Sequence, residues 1–213
     1  MKIRKVGHCC LVIEEGGVRF LTDPGAFSQG QNEVEGLHAV LITHEHADHL
    51  HVESLKQVIE RNPDARVISN AAVGEILGAA GVQHEVISDK AIIEVDGVTI
   101  EAFDCKHEEI FEEFGQVPNT GYLIAGTLLF PGDAYLLPGK PVDVLALPVA
   151  GPWCKISDAI RYALSVAPRA VFPMHDGQLR DDRIGGSHAV PAKVLGEHGI
   201  TFVALKAGES ADF

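Results

Sequence analysis

No apolar run in this sequence approaches the ~20 residues that a helix needs to cross a bilayer. The opening "MKIRKVGHCCLVIEEGG" is basic and then apolar, but Glu14 and Glu15 cut the apolar part short. It reads as a first strand and not as a secretory signal. Basic residues are scarce as well: 17 Lys and Arg stand against 30 Asp and Glu, a formal net charge of −13. No Lys/Arg cluster supplies the footprint that nucleic-acid binders carry, and the charge argues against polyanionic substrates. Bound divalent cations would offset part of it. The four cysteines, Cys9, Cys10, Cys105 and Cys154, contain no C-x-x-C pair. That suggests neither a disulfide framework nor a cysteine-based zinc site, and the expectation is reduced thiols of the kind found in cytoplasmic proteins. With no low-complexity stretch and no linker, the expectation is a single domain over residues 1–213, without membrane or nucleic-acid partners. A chain of this length buries roughly 70% of its unfolded surface.

What is present is a succession of short β-type runs and amphipathic helices. "KIRKV", "CLVIEE" and "VRFLTD" are strands, the last two joined by Gly16-Gly17. "HAVLIT" (38–43) is a near-continuous apolar strand, the pattern of a strand covered on both faces. A helical stripe follows over 50–60, then the strand "ARVISN", the helix "AAVGEILGAA" and the strands "HEVIS", "AIIEV" and "VTIEAFD". The second half offers the hairpin "TGYLIAG"/"TLLFPGD", the apolar strand "VDVLALPV" and a helix over 157–167 with Ser157 as its N-cap. The strand "AVFPMHDG", a helix over 189–198 and the strand "TFVAL" complete it. Strands in blocks with helices after them in each half predict an α/β protein, a four-layer α/β/β/α sandwich of two mixed sheets with outer helices.

Polar residues able to bind metal stand immediately after five of these strands: Asp23, the cluster His44-Glu45-His46-Ala47-Asp48-His49, His107, Asp133 and His175. Loops at strand ends are held by a rigid scaffold yet face solvent. His44 and His46 can share a direction if the chain is extended or turning, and Asp48 and His49 then fall on the first turn of the helix near Leu50. One pair can serve one metal and the displaced pair its neighbour. A zincin helix would need histidines four apart, whereas the fourth residue after His44 is Asp48. Without a cation or other partners, so many imidazoles and carboxylates beside a buried strand would carry a large desolvation cost. Imidazole and carboxylate donors suit Zn²⁺, and also Mn²⁺ or Fe. The cluster alone cannot complete two sites, so further ligands are expected from His107, Asp133 and His175; His84 is the weaker competitor because it starts a strand.

These residues resemble the signature of the metallo-β-lactamase-fold superfamily. "THEHADH" is similar to its H-x-H-x-D-H motif, and "LTDP" (21–24), His107, "PGDA" (131–134) and "PMHDG" (173–177) follow in the superfamily's order. "GHCCLVIEEGG", "LPVAGPW" and "VFPMHDG" resemble the compact metal-dependent hydrolase branch that includes ascorbate-6-phosphate lactonase-like proteins. The resemblance implies two divalent metal ions, with His44, His46 and His107 on one. Asp48, His49 and His175 would hold the other, Asp133 would bridge them, and Asp23 would orient ligands. It implies hydrolysis of a small-molecule lactone, ester, thioester, amide or phosphodiester by water activated between the metals. Asp48 would serve as the proton-shuttling catalytic residue.

The chain departs from the branch in "HEEIFEEFG" after His107, whose glutamates are expected to face water. It lacks the insertion of nuclease members, the flavin domain of di-iron reductases and the glutamate those reductases place where His46 stands. An iron-dependent oxidoreductase and a metal-stabilised scaffold without turnover are the alternatives. A G-x-S-x-G nucleophile elbow is absent. His8 and Trp153 are expected to serve structure more than substrate, Lys155 to lie on the surface, Glu45 to point away, and His38, His51, His188 and His198 to be ordinary surface or loop histidines.

Overall fold

The computed structural model describes residues 1–180 and 182–213, and the statements below concern those residues. In chain order they form β1 (Lys2–Gly7), β2 (Cys10–Glu15), β3 (Val18–Thr22), β4 (Ala39–Leu41), α1 (Val52–Arg61), β5 (Arg66–Ser69), α2 (Ala71–Ala79) and β6 (Glu85–Val86). The second half supplies β7 (Ile92–Val95), β8 (Val98–Lys106), β9 (Pro118–Ile124), β10 (Leu128–Phe130), β11 (Val144–Pro148) and α3 (Ile156–Val166). It ends with β12 (Ala170–Met174), α4 (Gly185–Glu197), β13 (Thr201–Phe202) and β14 (Ser210–Asp212).

Period-two alternation along the strands builds the layers. In β2, Leu11 and Ile13 join a core shared with Ile100, Tyr122, Ile124 and Phe130, while Cys10 and Val12 face a second core with Leu55, Val58, Val73 and Leu77 of α1 and α2. In β11, Val144 and Ala146 enter the first core, and Leu145 and Leu147 meet Ala159, Ala163 and Leu195 of α3 and α4. Helices therefore cover the outer face of each sheet and the inner faces meet, the α/β/β/α sandwich expected. One sheet runs β14-β1-β2-β3-β4-β5-β6 and the other β13-β12-β11-β10-β9-β8-β7. Each is antiparallel on one side and parallel on the other, with β3-β4-β5-β6 and β10-β11-β12-β13 the parallel runs. No helix is long and apolar enough to cross a membrane.

Four local expectations are corrected. Asp48 and His49 lie not on the first turn of α1 but on a separate turn before it, where His49 N–H and Leu50 N–H both donate to the His46 carbonyl at 2.9 and 2.8 Å. The loop after β3 pins this turn, through Ala26 N–H to the Ala47 carbonyl (2.8 Å) and His51 N–H to the Pro24 carbonyl (3.3 Å). The helix starts at Val52 because His51, expected to be an ordinary histidine, accepts from Ser54 N–H as its N-cap. Ser157 does not cap α3; the helix begins at Ile156 with Lys155 at the cap, and the Ser157 hydroxyl turns to Asp158. α4 begins four residues early, at Gly185, so that Pro191 lies inside it and the i→i−4 bond to Ser187 is missing. β14 carried no sequence signal: three residues, two of them exposed, are held by pairing with β1 across the length of the chain.

Candidate metal centre

The polar ends of separate strands converge between the sheets. β3 leads to Asp23, β4 to the cluster, β8 to His107, β10 to Asp133 and β12 to His175. All seven residues expected as ligands come together. Donor atoms of His44, His46 and His107 lie within 4.8 Å of one another, and so do those of Asp48, His49, Asp133 and His175. The Asp133 carboxylate reaches both groups: Oδ2 is 3.2 Å from His107 Nε2, 4.0 Å from His44 Nε2 and 2.8 Å from His175 Nε2, and Oδ1 is 3.1 Å from His49 Nε2. Glu45 belongs to neither group among the described residues.

The hydrogen bonds fix where the ring protons sit. The Thr43 hydroxyl donates its one hydrogen to Asp23 Oδ2 (2.8 Å), so at 3.0 Å it must accept from His44 Nδ1–H. His49 Nδ1–H donates to Asp23 Oδ2 at 2.7 Å, and His107 Nδ1–H to the Glu108 carbonyl at 2.6 Å. In all three rings this turns Nε2 into the centre, where it can offer its lone pair to a cation. Asp23, as expected, touches His49 and Thr43 and stands outside both donor groups.

A cation suits this arrangement. His44 Nε2, His49 Nε2, Asp133 Oδ1 and both ring nitrogens of His175 are buried without a hydrogen-bond partner. Such atoms carry a desolvation cost that a divalent ion removes. The charges agree. Burial would lower the His175 pKa, but Asp133 and Asp48 outweigh it and raise it to about 9. Burial likewise opposes a proton on His49, yet Asp133 and Asp23 hold its pKa well above the usual value. Burial and the neighbouring His49 push His44 well down. Burial favours protonated Asp133, but His49 and His175 hold its carboxyl well below the usual range. Positive charge is thus welcome at one end of the pocket while the other offers neutral imidazole.

Backbone strain marks the same place. His8, Asp23 and His175 have φ of 44°, 35° and 62°, left-handed values that non-glycine residues adopt at a cost of ~1–3 kcal/mol each.

Sequence reasoning missed several supporting groups. Trp153, expected to pack, donates from Nε1 to Asp133 Oδ2 at 3.1 Å. Asn119 Oδ1 accepts the Asp133 N–H, and Thr43 holds Asp23 through both its N–H and its hydroxyl. Only their position beside the motifs could have marked them. His188 is corrected: it is buried, with Nε2 2.9 Å from Asp176 Oδ2. Cys9, read as an ordinary thiol, has its sulfur within 4.8 Å of donors from His8, His49 and His175, and burial pushes its pKa well up, so it stays a neutral thiol there. Lys155 is exposed, as are Glu109, Glu112 and Glu113.

Comparison with known proteins places the fold. A family described as a beta-lactamase superfamily domain matches residues 2–175. The chain belongs to the β-lactamase superfamily. Within it, the chain is 37% identical over 190 residues to Protein Rv0786c of Mycobacterium tuberculosis, covering 87% of this chain and 88% of that one. It is 32% identical over 194 residues to a UPF0173 protein of Pyrococcus furiosus, covering 83% and 84%. Among solved structures sharing the superfamily's fold, Igni18, a metallo hydrolase of Ignicoccus hospitalis, superposes with a TM-score of 0.77 at 21% identity, covering 100% of this chain and 98% of that one. CmlA, a diiron β-hydroxylase of Streptomyces venezuelae, gives 0.78 at 18% identity over 54% of its length.

Proposed function

We propose that this chain is a metal-dependent hydrolase of small molecules built on a two-cation centre. The substrate would be a lactone, ester, thioester, amide or phosphodiester. The observation that carries the reading is the set of buried, partnerless donor atoms on His44, His49, His175 and Asp133, grouped on either side of one carboxylate. His44, His46 and His107 would hold one cation and Asp48, His49 and His175 the other, with Asp133 between them. Zinc is favoured by the donor set, with manganese or iron as the alternatives. The reading is also supported by a relative named UPF0173 metal-dependent hydrolase, 30% identical over 142 residues, from Chelativorans.

Two divalent cations held there would supply electrophilic polarisation and a water acidic enough to ionise near neutral pH. The chain's own residues do the rest. Asp48 is one-fifth exposed, at the solvent edge of the pocket, where its carboxylate can take a proton from the attacking water and hand it to the leaving group. Its pKa is held low: burial would raise it, and the facing His175 and His8 imidazoles outweigh that. Trp153 fixes the Asp133 carboxylate, and Asp23 fixes the His49 ring. A cavity of about 380 Å³ touches His8, whose ring is bonded to Asp48, but none of the seven donors lines it. The net charge of −13 speaks against a nucleic acid.

Metal analysis of the purified protein by mass spectrometry, together with a panel of lactones, esters and phosphodiesters, tests the proposal. Two equivalents of metal and turnover that Asp133→Ala abolishes are expected. Unchanged hydrolysis in that variant would rule the mechanism out, and a visible absorption band with bound iron would favour oxidoreductase chemistry.

A further inference from the structure

We propose that His8 is a positioning residue for Asp48, holding that carboxylate toward the second cation. This rests on the two-cation reading above and goes beyond it, because His8 is not among the expected ligands.

His8 sits in the turn between β1 and β2 with its side chain fully buried. The Gly177 N–H lies 3.2 Å from His8 Nδ1 and donates to it, so Nδ1 is an acceptor and the ring proton is on Nε2. Nε2–H then donates to Asp48 Oδ2 at 3.1 Å. The same oxygen faces His175 Nε2 at 3.5 Å and His49 Nε2 at 3.8 Å, the two imidazoles with which Asp48 forms one donor group. A carboxylate oxygen has lone pairs for both a hydrogen bond and a cation. A donor on one side therefore fixes which way the other side points.

The surroundings are built to keep the ring there. His8 has φ of 44°, a conformation glycine or asparagine would adopt with less strain. Its carbonyl accepts the His175 N–H at 3.3 Å, which ties the ring's own backbone to the strand end that carries a ligand. Gly177 leaves the necessary space: a Cβ there would lie 2.9 Å from the His8 Cβ. Phe27 packs against the ring, edge to face, at a centroid distance of 5.4 Å.

Glutamine can place an amide N–H where imidazole Nε2–H lies. Asparagine matches only the Nδ1 position that meets Gly177. The test is a competition titration of zinc against a chromogenic chelator on the full chain carrying His8→Gln, His8→Asn or His8→Leu, with melting temperatures of the stripped proteins alongside. The expected result is selective. His8→Gln keeps the affinity of the second cation within a few-fold, and His8→Asn and His8→Leu lose about 10–100-fold. The cation at His44, His46 and His107 is untouched in all three. Equal behaviour of Gln and Asn, or loss at both cations in proportion to melting temperature, would show a purely structural histidine and overturn the inference. A wild-type protein that takes up no second cation overturns the two-cation reading itself, and this inference with it.

Discussion

His175 and Asp176 are neighbours in the chain, yet their side chains belong to two buried polar clusters that meet the cost of burial in opposite ways. Asp176 lies between Lys5 of β1 and His188 of α4: Lys5 Nζ donates to Asp176 Oδ1 at 2.6 Å and to the Pro173 carbonyl at 2.8 Å, and His188 Nε2 meets Asp176 Oδ2 at 2.9 Å. None of these atoms lacks a partner among the described residues. His175 faces the other way, into a cluster where both of its own nitrogens and the Nε2 atoms of His44 and His49 have none. The first cluster is complete as protein and clamps the first sheet, the second sheet and α4 together. The second leaves buried donors unsatisfied by the protein, as the proposed centre requires. Burial and charge are similar in both, so it is satisfaction of the donors that separates a structural cluster from a functional one.

Removing Lys5 puts that distinction to its hardest test. Lys5→Met leaves a buried carboxylate with one of its two partners gone, and breaking a buried ionic network in this way costs about 3–5 kcal/mol. Denaturant unfolding should register that loss. Metal stoichiometry should stay at the wild-type value, and zinc should still raise the melting temperature of the variant. At a concentration a hundred times the dissociation constant, such a ligand adds about 2.7 kcal/mol. If Lys5→Met lost its metal along with its stability, the two clusters would be one.

A smaller effect is expected where the loop after β3 touches the ligand turn. A Cβ on Gly25 would fall 1.8 Å from the Asp48 carbonyl oxygen and 2.5 Å from the His49 backbone nitrogen. Gly25→Ala must push that turn aside, at about 1–3 kcal/mol. In the proposed centre the displaced residues would be ligands of the second cation, so zinc titration should show that cation weakened and the first retained. Equal loss at both would mean that the turn responds as a block with His44 and His46.

Legibility in the sequence follows the same division. The seven donors stood out because each is a polar residue at the end of an apolar run, and that contrast is local. The sandwich was readable for the same reason, since alternation within β2 or β11 already divides inner from outer face. The groups that orient the donors were not readable. Trp153 acts on Asp133 across 20 residues and Gly177 acts on His8 across 169, and neither leaves a mark in its own neighbourhood. His188 looked like a surface histidine because its partner, Asp176, is likewise set by tertiary packing. β14 was invisible because its register comes entirely from β1.

The smallest expected effect concerns protons standing in for cations. Burial by itself would lower the His175 pKa, but Asp133 and Asp48 raise it to about 9, against about 6.5 in the unfolded chain. Between those values the folded, metal-free protein holds a proton that the unfolded chain has released. Its stability is therefore complete below pH 6.5 and falls as pH rises toward 9. His49 acts in the same direction. Asp176 contributes nothing in this window: burial would raise its pKa, but His188 and Lys5 lower it, so its contribution disappears only on acidification. Chelator-stripped protein should thus melt a few degrees lower at pH 9 than at pH 6.5. Zinc-loaded protein should not, because metal and proton compete for the same nitrogens and binding tightens as the proton leaves. A stripped protein whose melting temperature is flat across that range would mean that the carboxylates around His175 do not favour positive charge there, and the contrast with the Lys5 cluster would lose its electrostatic basis.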